Sequence, residues 1–383
     1  MMRADVVEAT ESAVPPITGG GDQPTGREFS PAADPDGRLS MGVWVEGQPM
    51  DVHGHGVPLP DWSGLRSRLT EPTEPRNASI GTGEGVLVGL IDSGIVQNSW
   101  LNGGYLSAPD DFEKEFGPAT AESVIRHPHA LQVGHGTFAA GLILQQAPAA
   151  GVWVERVLNS EGDATANRVM EAARALAHRG VHVINMSLGT FYDDYVYSKQ
   201  EIQRIVDAVR EIDPNIVIVA AAGNLKDKDE RRRPFWPAAL PGDVVAVGAV
   251  DEPTSTRLTS WSNGGDWLDV AAPGTNLLST YLNRTILPPG APDAIEYKGW
   301  ALWSGTSFAS AVVSGAIAAL ATPTATSGAD AQAALARLRT SAFRTGETRY
   351  EAEGDVPPVP VINLLTWERH EPNEPRPGCM KAV

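Results

Sequence analysis

The sequence feature that most limits the fold is a series of short, unbroken apolar runs separated by longer amphipathic segments. VLVGLID ends at Asp92, NIVIVAAAGN ends at Asn224, and DVVAVGAV follows. Strands that are apolar on both faces are typical of a parallel sheet covered by helices. HGTFAAGLILQQ, DATANRVMEAARALAHRG and SKQEIQRIVDAVREI, which lie among these runs, read as helices. The alternation predicts a three-layer α/β fold with a mostly parallel central sheet flanked by helices.

The two ends of the chain lack this pattern. Residues 1–80 are rich in Pro, Gly and acidic residues with little periodicity, which predicts a mostly irregular N-terminal extension. The alternating pattern places one domain over residues 81–370. Residues 371–383 are Pro-rich and are predicted to form a loose tail.

Composition narrows the classes of partner. The 383 residues carry a formal net charge of -17, which disfavours nucleic acid and anionic membrane surfaces. No segment approaches the roughly 20 apolar residues needed to span a bilayer, and the first residues lack the apolar core of a signal peptide. We therefore expect a cytoplasmic protein, or a secreted one if a signal peptide has been trimmed from this sequence. The single cysteine, Cys379, excludes an internal disulfide.

Two short motifs could suggest a metal or a cofactor. In HGH, His53 and His55 have no third ligand nearby, which favours loop residues over a metal site. GTGEG over residues 81–85 precedes a strand instead of following one, which favours a turn over a phosphate-binding loop. The sequence therefore predicts neither a cofactor nor a metal.

Four polar residues stand at junctions between predicted strands and helices. Asp92 ends a strand, His135 begins a helix, Ser307 begins the last major helix, and Asn224 ends a strand. Singly, each has an ordinary interpretation as a turn, cap or packing residue. Together they fit acyl transfer, because a serine nucleophile needs a base and the base needs an orienting acid. The chain order Asp, His, Ser is one of the known orders of that triad, and an asparagine amide can donate to an oxyanion.

Five motifs in this order carry a family resemblance: VLVGLIDSG, GHGTFAAG, VINMSLG, AAAGN and SGTSFASAVVSG. They resemble the subtilisin-like serine proteases, the subtilases, over residues 85–365. The resemblance implies peptide hydrolysis through an acyl-enzyme, with an extended peptide or protein substrate bound as an added strand. It assigns the acid to Asp92, the general base to His135, the nucleophile to Ser307 and an oxyanion donor to Asn224.

The resemblance also implies where the substrate binds. The segment that pairs with the substrate backbone matches Ser187, Leu188 and Gly189, and the opposite wall of the cleft matches Ala221, Ala222 and Gly223. Phe235 and Trp236 fall where the family holds a cis-proline beside the specificity pocket, so the Trp236–Pro237 bond is the candidate cis bond. Their bulk predicts a shallow pocket that prefers a small or medium side chain before the scissile bond.

The sequence departs from the family pattern at a few positions. Phe138 stands where relatives often have histidine, and Ala311 stands where they usually have proline. The helix after His135 runs on without the calcium-binding loop of many secreted relatives, which predicts that this calcium site is absent. KDKDERRRP over residues 226–234 is either a solvated loop or a basic element that selects acidic substrates.

The function that the sequence favours is a serine endopeptidase. One alternative is a non-catalytic binding protein that keeps the subtilase fold. Another is a dedicated processing protease that stays silent until a regulatory protein partner frees it.

Overall fold

The computed structural model describes residues 40–42, 46–51, 83–96, 98, 100–101, 104–107, 124–125, 131–159, 162–191, 199–225, 233–251, 255, 257–287, 293–321, 329–340, 348–350, 354–362, 365–366 and 381–382. The predictions for HGH and for residues 226–232 lie outside these ranges. The helices within them are α1 His135–Gln146, α2 Ala166–His178, α3 Lys199–Arg210, α4 Thr306–Leu320 and α5 Ala329–Arg339. A 3-10 helix, Gln132–Gly134, leads into α1.

The strands are numbered in chain order. The first ten are β1 Ser40–Gly42, β2 Glu46–Asp51, β3 Leu87–Asp92, β4 Tyr105–Ser107, β5 Val124–Ile125, β6 Gly151–Arg156, β7 Asp163–Thr165, β8 Val183–Met186, β9 Thr190–Phe191 and β10 Val217–Ala221. The others are β11 Phe235–Trp236, β12 Val245–Val250, β13 Val270–Pro273, β14 Leu277–Ile286, β15 Ile295–Ser304, β16 Thr348–Tyr350, β17 Gly354–Val356, β18 Leu365–Thr366 and β19 Lys381–Ala382.

A seven-stranded sheet in the order β13-β12-β10-β8-β3-β6-β4 forms the middle layer. Every neighbouring pair in it is parallel. All residues of β8, β10 and β12 are buried, which agrees with their unbroken apolar sequences. The predicted three-layer α/β fold is therefore confirmed.

The sheet separates two apolar cores. On one face, side chains of α1 and α4 pack against it, and on the other face those of α2 and α3 do so. Small residues let α4 approach α1 closely, since a Cβ built on Gly315 would lie 2.7 Å from the carbonyl oxygen of Ile143. The small residues of SGTSFASAVVSG thus serve packing along the later turns of α4.

Helix α2 shows how local sequence sets an element's ends. The Thr165 hydroxyl accepts a hydrogen bond from the backbone N–H of Arg168 at 3.3 Å, which caps the first turn. Gly180, the predicted stop, follows the helix with φ +71°, a conformation that favours glycine. The turn predicted at residues 81–85 is also present over Gly83–Gly85.

A second, four-stranded sheet in the order β2-β15-β14-β5 leads into α4, the helix that carries Ser307. Strands β14 and β15 are antiparallel, and β15 ends at Ser304, two residues before α4 begins at Thr306. Antiparallel pairing of β2 with β15 sets Glu46 opposite Ser304. The end of β15, which directly precedes the segment with Ser307, is therefore paired with a strand of the N-terminal extension.

The described residues of the N-terminal extension form two short strands. Besides β2, its strand β1 pairs antiparallel with β7. Backbone hydrogen bonds to β7 and β15 hold these two strands without an alternating apolar pattern, and the mostly irregular character of residues 1–80 stays a prediction. In the predicted tail, β19 pairs with β18. Among the helices of the described ranges, none combines the length and the apolar character needed to cross a membrane.

Candidate active site

The candidate site lies at the carboxyl ends of β3, β8 and β10, where parallel sheets gather functional groups. Asp92 ends β3 and His135 begins α1. The two carboxylate oxygens of Asp92 lie 2.8 and 2.9 Å from His135 Nδ1. Because a carboxylate can only accept hydrogen bonds, the proton resides on Nδ1 and Nε2 is left as an acceptor.

Ser93 ties the loop after β3 to the start of the histidine helix. Its hydroxyl donates to the carbonyl oxygen of Val133 at 3.0 Å and accepts from the backbone N–H of Gly136 at 3.0 Å. The backbone N–H of Ser93 also donates to Asp92 Oδ1 at 2.6 Å. The sequence alone does not assign this role to Ser93, although a hydroxyl next to the acid is the available signal.

Gly136 makes the close approach of these segments possible. A Cβ built there would lie 2.1 Å from the carbonyl oxygen of Gly94 and 3.0 Å from Asp92 Oδ1. Any side chain at this position would therefore force the acid and the histidine apart.

Aromatic rings surround the imidazole of His135. The Phe308 ring centroid lies 5.0 Å from it and the Trp303 ring packs edge-on at 5.8 Å. Phe138, which stands where relatives often have histidine, is buried against Phe308 with centroids 4.4 Å apart. The departure at Phe138 thus extends an apolar wall behind the imidazole.

Ser307 is the second residue of α4, and the ring centroid of its neighbour Phe308 lies 5.0 Å from that of His135, which places the start of α4 beside the histidine. Its hydroxyl donates to the carbonyl oxygen of Ser187 at 3.1 Å. His135 Nε2 is buried and has no hydrogen-bond partner among the described residues. A hydrogen bond between Ser307 and His135 Nε2 is therefore not formed in this structure. Catalytic hydrogen bonds often tighten only when substrate is bound.

Beneath the nucleophile lies a buried network of polar side chains. The Ser187 hydroxyl donates to the Ser307 carbonyl oxygen at 2.7 Å, lies 3.0 Å from Ser310 Oγ and accepts from Asn185 Nδ2 at 2.7 Å. Ser314 Oγ in turn donates to Asn185 Oδ1 at 2.9 Å. Ser310 and Ser314 of α4 therefore fasten this helix to β8 and to Ser187, which follows it.

Asn224 follows β10 and faces the start of α4. Its Oδ1 accepts from the backbone N–H of Thr306 at 2.9 Å and from the Thr306 hydroxyl at 2.8 Å. A Cβ built on Gly305 would lie 3.6 Å from Asn224 Nδ2, so the amide nitrogen is close to the residues that precede Ser307. This placement suits the predicted oxyanion role, which stays a prediction.

The predicted walls of the substrate cleft lie at the carboxyl ends of two neighbouring strands. The first wall, Ser187, Leu188 and Gly189, follows β8, and the second, Ala221, Ala222 and Gly223, closes β10. All six residues are buried.

Phe235 occupies the space between these walls. A Cβ built on Gly189 would lie 2.4 Å from Phe235 Cε1, and a Cβ built on Gly223 would lie 3.0 Å from Phe235 Cγ. Trp236 pairs with Thr190 in the β9–β11 ladder, and the Trp236–Pro237 bond is cis, as predicted. The side chain of Phe235, which is 1% exposed, thus fills the space between Gly189 and Gly223.

No cluster of three or more potential metal ligands occurs in the described part of the chain. Helix α1 is continuous from His135 to Gln146, which agrees with the uninterrupted sequence there. The absence of the calcium site itself stays a prediction.

Known proteins resemble this chain in sequence and in fold. The model of the subtilase family matches residues 83–353. Subtilisin DY of Bacillus licheniformis is 31% identical over 230 residues, which span 58% of this chain and 74% of that protein. Subtilisin E of Bacillus subtilis (strain 168) is 31% identical over 246 residues, which span 62% of this chain and 55% of that protein.

The fold has a solved counterpart in a cold adapted subtilisin-like serine proteinase. The TM-score is 0.52 with 23% sequence identity, and the match covers 76% of this chain and 95% of that one. The family model spans most of the chain, including Asp92, His135, Asn224 and Ser307. This chain belongs to the subtilase family.

Proposed function

We propose that this chain is a serine endopeptidase that hydrolyses peptide bonds through an acyl-enzyme on Ser307. The observation that carries the proposal is the contact of His135 Nδ1 with both carboxylate oxygens of Asp92, at 2.8 and 2.9 Å, with both side chains fully buried. A buried pair of this kind is a weak source of stability, because desolvation opposes the attraction. It is well suited to hold the imidazole in the tautomer whose Nε2 accepts a proton.

The reaction begins when the Ser307 hydroxyl turns from the Ser187 carbonyl oxygen towards His135 Nε2, a rotation about one side-chain bond. Ser307 Oγ then attacks the substrate carbonyl carbon while its proton passes to Nε2. The carbonyl π electrons move onto oxygen, and this oxyanion accepts hydrogen bonds from Asn224 Nδ2 and the backbone N–H of Ser307. The C–N bond breaks as the amine takes the proton from Nε2.

Water completes the cycle through the same groups. It loses a proton to Nε2 and attacks the acyl carbon, and the second oxyanion collapses as the Ser307 oxygen leaves with that proton. Asp92 stays ionised throughout, and it orients the imidazole and stabilises the imidazolium.

A fluorophosphonate probe read by intact mass tests this proposal. We expect one adduct on wild type and none on Ser307→Ala. Ser310→Ala removes a serine one turn further along α4 and should still be labelled. Labelling of Ser307→Ala, or no labelling of wild type with and without residues 1–51, would overturn the proposal and favour the non-catalytic alternative.

We infer further that the N-terminal extension restrains the enzyme. Ser307 is only 1% exposed, and β2 pairs along β15, the strand that leads into the nucleophile helix. Tyr297 of β15 also donates its hydroxyl to the carbonyl oxygen of Pro49 in β2. These contacts support a latent protease that acts once the extension is displaced, which fits a dedicated processing enzyme with a regulatory protein partner.

Two deletions separate a latent from an open enzyme. The variant that lacks residues 1–39 keeps β1 and β2, and the probe should label it at the same rate as the full chain. The variant that lacks residues 1–51 has neither strand, and the probe should label it faster. Equal rates for the two deletions would contradict the latent form while leaving the catalytic proposal intact.

The substrate is proposed to be an extended peptide with a small or medium residue before the scissile bond. The support is the Phe235 ring between Gly189 and Gly223. Selection of acidic substrates by residues 226–234 and a cytoplasmic location stay predictions.

A further inference from the structure

Asn263 lies in the segment between β12 and β13 and contacts the loop that carries Asn224. Its backbone N–H donates to the carbonyl oxygen of Gly223 at 2.9 Å. Its side-chain Oδ1 accepts from the backbone N–H of Leu225 at 2.9 Å. One residue, fully buried, therefore holds the peptide groups on both sides of Asn224.

This contact is anchored to the central sheet. Ser262 Oγ accepts from the backbone N–H of Ala249 in β12 at 2.9 Å and donates to the Asn263 carbonyl oxygen at 3.0 Å. Ser262 also forms an isolated antiparallel bridge with Asn224. The loop around Asn224 is thus fastened from behind to a strand whose residues are all buried.

The front of the same loop faces the nucleophile helix. Asn224 Oδ1 accepts two hydrogen bonds from Thr306, and the Thr306 hydroxyl accepts one from the backbone N–H of Gly223 at 3.0 Å. Because Thr306 holds the Asn224 Oδ1 atom, the direction in which Asn224 Nδ2 points depends on the position of the Asn224 backbone. That position is set on the other side by Asn263.

Stability alone does not account for an asparagine at position 263. Its Nδ2 is buried without a hydrogen-bond partner among the described residues. A buried donor left in this way lowers the stability of the folded state. A neutral side chain that supplies an acceptor to Leu225 explains why this cost is tolerated.

We propose that Asn263 is a positioning residue for the oxyanion donor Asn224. It acts through Asn224 and does not itself touch the reacting atoms. The proposal rests on the proposed function, in which Asn224 stabilises the oxyanion.

A double-mutant cycle tests the proposal, with kcat and KM measured on a fluorogenic peptide for wild type, Asn224→Ala, Asn263→Ala and the double variant. Removing an oxyanion donor costs about 100- to 1000-fold in kcat, so Asn263→Ala should cost less than that, about 10- to 100-fold, with KM little changed. In the Asn224→Ala background the same change should cost less than about twofold, because the group it positions is already gone. An equal loss in both backgrounds would overturn the proposal.

Asn98→Ala is the matched control, because this buried asparagine also fastens a loop, by bonds from Nδ2 to the carbonyl oxygens of Tyr281 and Gly299. It should lower the thermal midpoint with no coupling to Asn224. If Asn263→Ala does not fold, Asn263→Asp keeps the acceptor for Leu225, so its kcat should stay near that of wild type; a kcat loss in Asn263→Asp that persists in the Asn224→Ala background overturns the proposal. If the Asn224→Ala variant has the same kcat as wild type, the oxyanion role in the proposed function is refuted instead.

Discussion

Replacing Phe235 with alanine should change which residue the enzyme accepts before the scissile bond. The phenyl ring is 1% exposed and lies between Gly189 and Gly223, so Phe235→Ala leaves a space of about one benzene ring between these two glycines. A substrate phenyl group that refills this space gains about 2–3 kcal/mol of apolar transfer free energy. At about 1.4 kcal/mol for each factor of ten, the gain is about 30- to 150-fold in kcat/KM.

The assay compares two fluorogenic peptides that differ only in alanine or phenylalanine before the scissile bond. Wild type should prefer alanine, and the ratio of kcat/KM for phenylalanine over alanine should rise by the calculated factor in Phe235→Ala. Phe235→Leu, which empties part of the space, should give an intermediate ratio.

Stability is controlled by a second core truncation. Phe235→Ala should lower the free energy of unfolding by about 3–5 kcal/mol, as such changes commonly do. Leu101→Ala removes another side chain that is 1% exposed, from the core on the α1 side, and should destabilise without altering the ratio. A wild-type preference for phenylalanine, or equal ratios in the Phe235 and Leu101 variants, would refute the reasoning.

Three further predictions concern the scaffold. Burial lowers the pKa of His182 against the weaker opposing effects of Asp213 and Asp330, and its Nδ1 accepts from the backbone N–H of Leu87 at 3.1 Å. Below the ordinary pKa of 6.5 the unfolded chain binds a proton here that the folded chain does not, so the free energy of unfolding should fall as the pH drops from 6.5. Urea denaturation from pH 7 to pH 5 should show this fall in wild type and a smaller one in His182→Gln; parallel curves would contradict it. Gly136→Ala should abolish fluorophosphonate labelling, because the new Cβ would lie 2.1 Å from the Gly94 carbonyl oxygen, whereas Gly151→Ala meets only the Leu87 side chain at 3.1 Å and should label normally. Ser93→Ala loses both side-chain hydrogen bonds at the histidine helix, so kcat should fall while Ser93→Thr, which keeps a hydroxyl, retains more activity in steady-state kinetics; equal losses in the two variants would argue against the bridging role.

The sequence predicts the fold and the family well because both depend on local patterns. Fully apolar strands such as β10 identify a parallel sheet, and residues at strand and helix ends, such as Asp92 and His135, are carried to one edge by that topology. Their mutual contact at 2.8 Å follows from the fold.

Other parts of the site could not be predicted, for physical reasons. The Ser307 hydroxyl can turn about a single bond, so its hydrogen bond to Ser187 is not encoded in the motif. Asn263 is distant in sequence from Asn224, and no local pattern links them. Strands β1 and β2 pair through backbone groups, which nearly every residue supplies, so their sequences carry little signal.

Because β2 belongs to the same chain, it competes for the edge of β15 as a tethered ligand. Only three residues separate Gly42, at the end of β1, from Glu46, so pairing of β1 with β7 keeps β2 near its site even when it detaches. Short tethers give effective concentrations of about 1 mM. A partner present at about 1 µM must therefore bind that edge about 1000-fold more tightly than β2 does to take its place. In the proposed latent form, release of β1 would remove this advantage, so the β1–β7 ladder would set the threshold for activation.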